Sequence, residues 1–103
     1  MIDPERCKSP ESCQTMVEVR AGVDETDRLI ANLLGVRFRY MEAAARIKPN
    51  REAVRDEGRK AEVLRHAEAN ALAANYPVTL AAEIWETLVE TSITYEMEKF
   101  DAR

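Results

Sequence analysis

Three cations, Arg20, Arg37 and Lys48, fall in a helical repeat whose other positions are mostly apolar. Arg37 and Lys48 are 11 residues apart, close to three turns, so on one helix they face the same side about 16 Å apart. Burying an unpaired cation is costly, and an anion is therefore expected between them. A small anionic ligand would meet this need. The competing interpretation is that these cations reach water or pair with acidic residues of a neighbouring helix.

Arg20 lies 17 residues before Arg37, or about 25 Å along a helix axis. One small ligand cannot be held by both side chains from the same helix. In an antiparallel dimer, Arg20 of one chain could reach the Arg37 and Lys48 pair of the other. The spacing therefore predicts two identical sites, each built from both chains.

A second anomaly lies near the end of the chain, where Ser92 and Glu96 share a helical stripe with apolar residues such as Val89. A carboxylate on an apolar stripe either pairs with a cation or takes up a proton. Glu96 is thus expected either to form an ion pair with Lys48 or Arg37, or to donate a hydrogen bond as a carboxylic acid.

The charged run at residues 54–60 opens a second helix. Arg59 lies about one turn past Asp56, near a helix N-terminus, where backbone N–H groups also favour anions. On its own the run is typical of a solvated helix start. Because the run follows Lys48 closely in the chain, it is also a candidate part of an anion-binding site.

The first helix, from about Ser12 to Lys48, must position the three cations. One face of this helix, its seam, carries residues that recur in alternating steps of four and three. This spacing is typical of a helix packed lengthwise on another. A helix of this size is about 55 Å long, whereas a compact chain of about 100 residues has a radius of gyration of about 13 Å. Pairing with a second copy would cover the seam, so we expect a homodimer. The seam positions are Met16, Arg20, Val23, Asp27, Ile30, Leu34, Arg37, Met41, Ala44 and Lys48.

Two further helices are expected, from about Asp56 to Ala74 and from about Leu80 to Asp101. Pro49 closes the first helix because the residue before a proline is pushed out of the helical region. Pro77 separates the second helix from the third, and Thr79 is expected to cap the third. The predicted fold is all-α, with three helices per chain and a long first helix in an intertwined homodimer.

Length and composition agree with this fold. The 103 residues suffice for one domain, residues 1–103, with residues 1–11 expected to be flexible, and Gly (3) and Pro (4) are scarce. A net charge of −4 argues against a broad nucleic-acid surface. No secretory signal or membrane-spanning stretch is apparent, so no membrane partner is expected and the cytoplasm is the expected location.

Metal and disulfide chemistry are not expected. Cys7 and Cys13 are interpreted as free thiols of a reducing compartment rather than as a disulfide or a metal pair. His66 has no Cys or His at ligand spacing, so a zinc site is not predicted.

Taken together, these residues resemble the all-helical chorismate mutase family. The resemblance covers about residues 12 to 100, and the order and spacing of its motifs are more specific than any single one. The motifs are Arg20 within residues 18–24, Arg37 within 36–39, Lys48 within 46–48, Val54-Arg55-Asp56 followed by Arg59, and Ser92 with Glu96.

The resemblance implies a cofactor-free rearrangement of chorismate, a dicarboxylate of the shikimate pathway, to prephenate. Arg20 from the partner chain and Arg37 would each hold one substrate carboxylate. Lys48 would contact a carboxylate and the ether oxygen, and Glu96 would donate to that oxygen. Asp56 would lie near the ring hydroxyl, Arg59 would add positive potential, and Ser92 would assist a carboxylate.

This chain departs from the family pattern at two positions. Many members have Gln where this chain has Glu96, which can donate only when protonated. Activity is therefore expected to fall as pH rises, and Glu96→Gln should flatten the profile. Bacterial members often have Glu where this chain has Lys60, which puts the contact to the ring hydroxyl in doubt.

Two alternatives stay open. The same family includes isochorismate pyruvate lyases, which release salicylate and pyruvate from a nearly identical pocket, and residues 10–13 resemble their opening. Asp56 and Arg59 favour the mutase, although dual activity is compatible with the sequence. The other alternative is a non-enzymatic helical dimerisation module, in which the seam charges pair with each other and leave no pocket.

Overall fold

The computed structural model describes residues 7–103, and in these residues all regular structure is helical. Helix α1 spans Met16–Ile47, α2 spans Glu57–Ala74 and α3 spans Val78–Asp101, with short 3-10 turns at Pro10–Ser12 and Arg51–Ala53. The prediction of an all-α chain with three helices and a long first helix is confirmed. None of the helices in this part of the chain is long and apolar enough to cross a membrane.

The contacts divide the chain into two units, the first ending at Arg37 and the second covering Phe38–Arg103. The predicted single domain stays a prediction. In the first unit, the segment before α1 lies along the helix, where the Cys7 thiol donates to the carbonyl of Ala21 at 3.3 Å and Lys8 pairs with Glu18. Of the segment expected to be flexible, residues 1–6 lie outside the described residues.

Cys7 and Cys13 are both free thiols in the structure. Cys13 also lines an apolar groove of about 410 Å³ in the first unit, together with Val19, Gly22 and Val23. This groove contains none of the predicted site residues.

Helix α1 begins at Met16, four residues later than predicted, and the Thr15 side chain caps its first turn. The backbone N–H of Glu18 donates to the Thr15 hydroxyl at 3.2 Å, and the Glu18 carboxylate accepts from the backbone N–H of Gln14 at 3.0 Å. The bond to Thr15 satisfies one of the N–H groups that a helix start leaves without intrahelical partners, and the bond from Gln14 ties the preceding residue to the same turn.

The predicted seam of α1 is largely uncovered in the first unit. Met16, Val23 and Ile30 are about half exposed, at 57%, 51% and 48%. Exposed apolar rows of this length are typical of surfaces that another element covers.

The core lies in the second unit, where α2 packs against α3. Small side chains allow this close approach, and Ala71 and Ala81 are fully buried. Phe38 of α1 meets Tyr95 of α3 edge to face, with ring centroids 5.2 Å apart, and the Tyr95 hydroxyl donates to Glu42 at 2.6 Å. The buried apolar residues are Ala45, Val54, Ala67, Ala71, Ala81 and Val89.

The turn between α2 and α3 differs from the prediction at Thr79. Helix α2 ends because Asn75 adopts the left-handed conformation (φ 69°), which asparagine tolerates better than most residues. Helix α3 then begins at Val78, directly after Pro77, and no side chain caps it. The predicted N-cap at Thr79 is wrong, since Thr79 already lies within the first helical turn.

Candidate active site

Lys48 lies at the junction between α1 and the connection to α2. Its backbone N–H still bonds to the Ala44 carbonyl at 2.9 Å, which extends the helical pattern by one residue. Its ammonium lies 2.7 Å from Glu96 Oε2 and donates to the Val54 carbonyl at 3.4 Å. Lys48 therefore links the C-terminal end of α1, the connection and α3.

Glu96 is a buried carboxyl group on the inner stripe of α3, with only 4% of its surface exposed. Its Oε2 atom touches the Lys48 ammonium, but no hydrogen bond of good angle reaches this oxygen. One turn earlier, the buried Ser92 donates to the Leu88 carbonyl at 2.6 Å. The structure thus brings Lys48 and Glu96 together, which is one of the two pairings that the stripe predicted.

Two side-chain caps shape the connection between α1 and α2. The Asn50 side chain accepts from the backbone N–H of Ala53 at 3.0 Å and fixes the 3-10 turn. This turn places the buried Val54 so that its carbonyl faces Lys48. Asp56 is the N-cap of α2 and accepts from the backbone N–H of Arg59 at 3.0 Å. Asp56 and Arg59 are therefore adjacent, as their spacing predicted.

The guanidinium of Arg59 pairs with Glu62 on its own helix. Both side chains are about half exposed, so this pair contributes little to stability. Arg59 lies in the first turn of α2, near its N-terminus.

An ion-pair network joins the start of α2 to α3, and sequence reasoning missed it. Lys60 lies 2.7 Å from Glu86 and 2.9 Å from Glu90, while Arg55 lies 2.7 Å from Glu90 and 2.9 Å from Glu57. The hydrogen bonds from Arg55 and then Lys60 lower the pKa of Glu90 to about 2. Lys60, which departs from the family pattern, thus pairs with two glutamates of α3.

Arg20 and Arg37 belong to the first unit, on α1. Arg20 is exposed and Arg37 is partly buried. Their predicted roles in holding substrate carboxylates stay predictions.

A comparison with known families identifies the chain. The model of the family described as chorismate mutase type II matches residues 19–97. The chain belongs to this chorismate mutase family. The matched span includes every predicted site residue, from Arg20 to Glu96.

A curated relative is similar to this chain over most of its length. This chorismate mutase-type chain is 34% identical over 92 residues to the isochorismate pyruvate lyase of Pseudomonas aeruginosa, and the match covers 85% of this chain and 91% of that protein. No solved structure matches the chain significantly. Both comparisons support the same family. The family model is named for chorismate mutase, whereas the relative is named for isochorismate pyruvate lyase.

Proposed function

We propose that the protein is a chorismate mutase, which rearranges chorismate to prephenate. The observation that supports this reaction best is the contact of a lysine ammonium with a buried glutamate carboxyl at 2.7 Å, facing the Val54 carbonyl. This arrangement supplies two hydrogen-bond donors at one point when Glu96 carries a proton. We expect the protein to act in the cytoplasm and to need no cofactor for this reaction.

The rearrangement breaks one carbon–oxygen bond as one carbon–carbon bond forms within the same molecule. No proton moves, so the protein has to hold the reactive conformer and stabilise the charge that develops. Negative charge grows on the breaking ether oxygen in the transition state. Lys48 and protonated Glu96 would stabilise that oxygen more strongly there than in the ground state.

The substrate carboxylates need cations of their own, for which Arg37 and Arg20 of a second chain are the candidates. A guanidinium matches a carboxylate with two parallel hydrogen bonds. The half-exposed apolar positions Met16, Val23 and Ile30 support pairing of α1 with a second copy. In the proposed homodimer each of two identical sites uses both chains.

Isochorismate pyruvate lyase activity is the second candidate, because the curated relative carries that name. This reaction also breaks a carbon–oxygen bond of an enolpyruvyl ether, with a ring hydrogen passing to the departing side chain. Lys48 and Glu96 would act on the ether oxygen in the same way. Asp56 and Arg59 at the start of α2 favour the mutase, because they match its motif in both type and spacing.

The test offers chorismate and isochorismate separately to the purified protein and identifies the products. The proposal expects prephenate from chorismate, with a lower kcat/KM for pyruvate release from isochorismate. A higher kcat/KM for salicylate and pyruvate from isochorismate would overturn the mutase and establish the lyase. Turnover of neither, without thermal stabilisation by a dicarboxylate analogue, would favour a non-enzymatic dimerisation module.

A further inference from the structure

The Arg103 side chain binds two backbone carbonyls at the C-terminal end of α1, those of Ala45 and Lys48. After α3 ends at Asp101, the Arg103 Nη1 atom donates to the Ala45 carbonyl at 3.1 Å and to the Lys48 carbonyl at 2.7 Å. Its guanidinium lies 3.7 Å from the centre of the Phe100 ring. A planar cation over an aromatic face has few alternative orientations.

The Ala45 carbonyl needs this donor because of Pro49. In a continuing helix it would accept from the N–H of residue 49, four positions later. Proline has no N–H, and Ala45 is 2% exposed, so little water reaches this part of the backbone. The guanidinium supplies the missing donor, and its charge is also favourable at a helix C-terminus.

A second contact joins the end of α3 to the connection that follows Lys48. Arg51, in the 3-10 turn of the connection, pairs with Asp101 at 2.9 Å. The end of α3 thus holds the chain at residues 48 and 51. Through Glu96, the same helix also contacts the Lys48 ammonium.

We infer that Arg103 is a positioning residue for Lys48. It fixes the backbone from which the Lys48 side chain extends, so that the ammonium stays beside Glu96 and the reacting ether oxygen. The kinetic part of this inference rests on the proposed function. Its structural part concerns only where Lys48 lies.

The test compares Arg103→Ala and Arg103→Lys with wild type. Arg46→Ala is the matched control, since Arg46 is an exposed arginine on the last turn of α1. Steady-state turnover of chorismate and isochorismate gives kcat and KM separately. In parallel, the methylene signal next to the Lys48 ammonium is followed by NMR, assigned from its loss in Lys48→Met.

For Arg103→Ala we expect a displaced Lys48 signal and a fall in kcat on the order of tenfold to a hundredfold, with a smaller change in KM. Arg103→Lys should restore part of kcat because an ammonium can still donate to the carbonyls. Arg46→Ala should behave like wild type.

A wild-type kcat and an unmoved Lys48 signal in Arg103→Ala would overturn the inference. So would an equal loss in Arg46→Ala, which would indicate a general effect of charge. If wild type turns over neither substrate, the proposed function fails, and the Lys48 signal alone decides whether Arg103 positions this residue.

Discussion

Replacing Lys48 by alanine removes the only ion-pair partner that the described structure gives to Glu96. The side chain of Glu96 is 5% exposed and that of Lys48 is 29% exposed. Breaking a buried pair by removing one partner typically costs about 3–5 kcal/mol, because the other charge is left uncompensated. Since water reaches Lys48, we expect the lower end, about 3 kcal/mol of unfolding free energy near neutral pH.

The pH dependence of this loss identifies its cause. Without the Lys48 ammonium, the buried Glu96 side chain is less costly to the folded protein as a neutral acid than as a carboxylate. The folded variant therefore takes up a proton. Its stability therefore decreases as pH rises. Each pH unit changes the cost of that proton by about 1.4 kcal/mol, so the loss in Lys48→Ala should be clearly smaller at about pH 5 than at about pH 8.

Urea unfolding at both pH values measures this effect, at one fixed protein concentration because the protein is proposed to be a dimer. The matched control is the double variant Lys48→Ala/Glu96→Gln, which removes the uncompensated charge and should recover much of the loss. Equal destabilisation at both pH values, or no recovery in the double variant, would show that the loss does not come from an uncompensated charge on Glu96.

Three further predictions concern activity and charge. If Glu96 donates a proton to the ether oxygen, the kcat/KM of wild type should fall as pH rises, since a carboxylate has no proton to donate, and Glu96→Gln should flatten this profile; parallel profiles would exclude a proton-donating Glu96. Because the hydrogen bond from Arg55 holds the pKa of Glu90 at about 2, below its usual 4.5, the stability that Glu90 contributes is present above about pH 4.5 and lost towards about pH 2. Glu90→Gln should therefore lower the urea midpoint at neutral pH but not near pH 2, and a constant difference would contradict this. Mixed chains of inactive Arg20→Ala and Arg37→Ala should regain about a quarter of wild-type activity after random exchange, because half of the dimers then carry one intact site; no recovery would count against shared sites.

The sequence predicted the helices and one key contact well, because both follow from periodic patterns. Polar residues at apolar positions singled out Lys48 and Glu96, and the need to compensate buried charge paired them. The proline at residue 49 correctly predicted the end of α1. These features depend on neighbours within a few turns, or on a strong physical requirement.

The missed features depend on the packing of distant segments. Arg103 reaches carbonyls 55 and 58 residues away, and Lys60 reaches glutamates 26 and 30 residues away. No periodicity in the sequence indicates such partners. The cap at Thr79 was wrong because the helix already starts at Val78, with Pro77 in the N-cap position.

The role of Lys48 and Glu96 in the reaction is tested by kcat/KM for prephenate formation from chorismate by wild type, Lys48→Ala and the surface control Arg46→Ala. Loss of one preorganised donor to a developing oxyanion typically costs about 10²–10³ in rate. We therefore expect a loss of this size in Lys48→Ala and none in Arg46→Ala, with far-UV circular dichroism confirming that both variants are folded. A folded Lys48→Ala variant that keeps more than about a third of wild-type kcat/KM would contradict the assignment of Lys48 and Glu96 as the reactive centre.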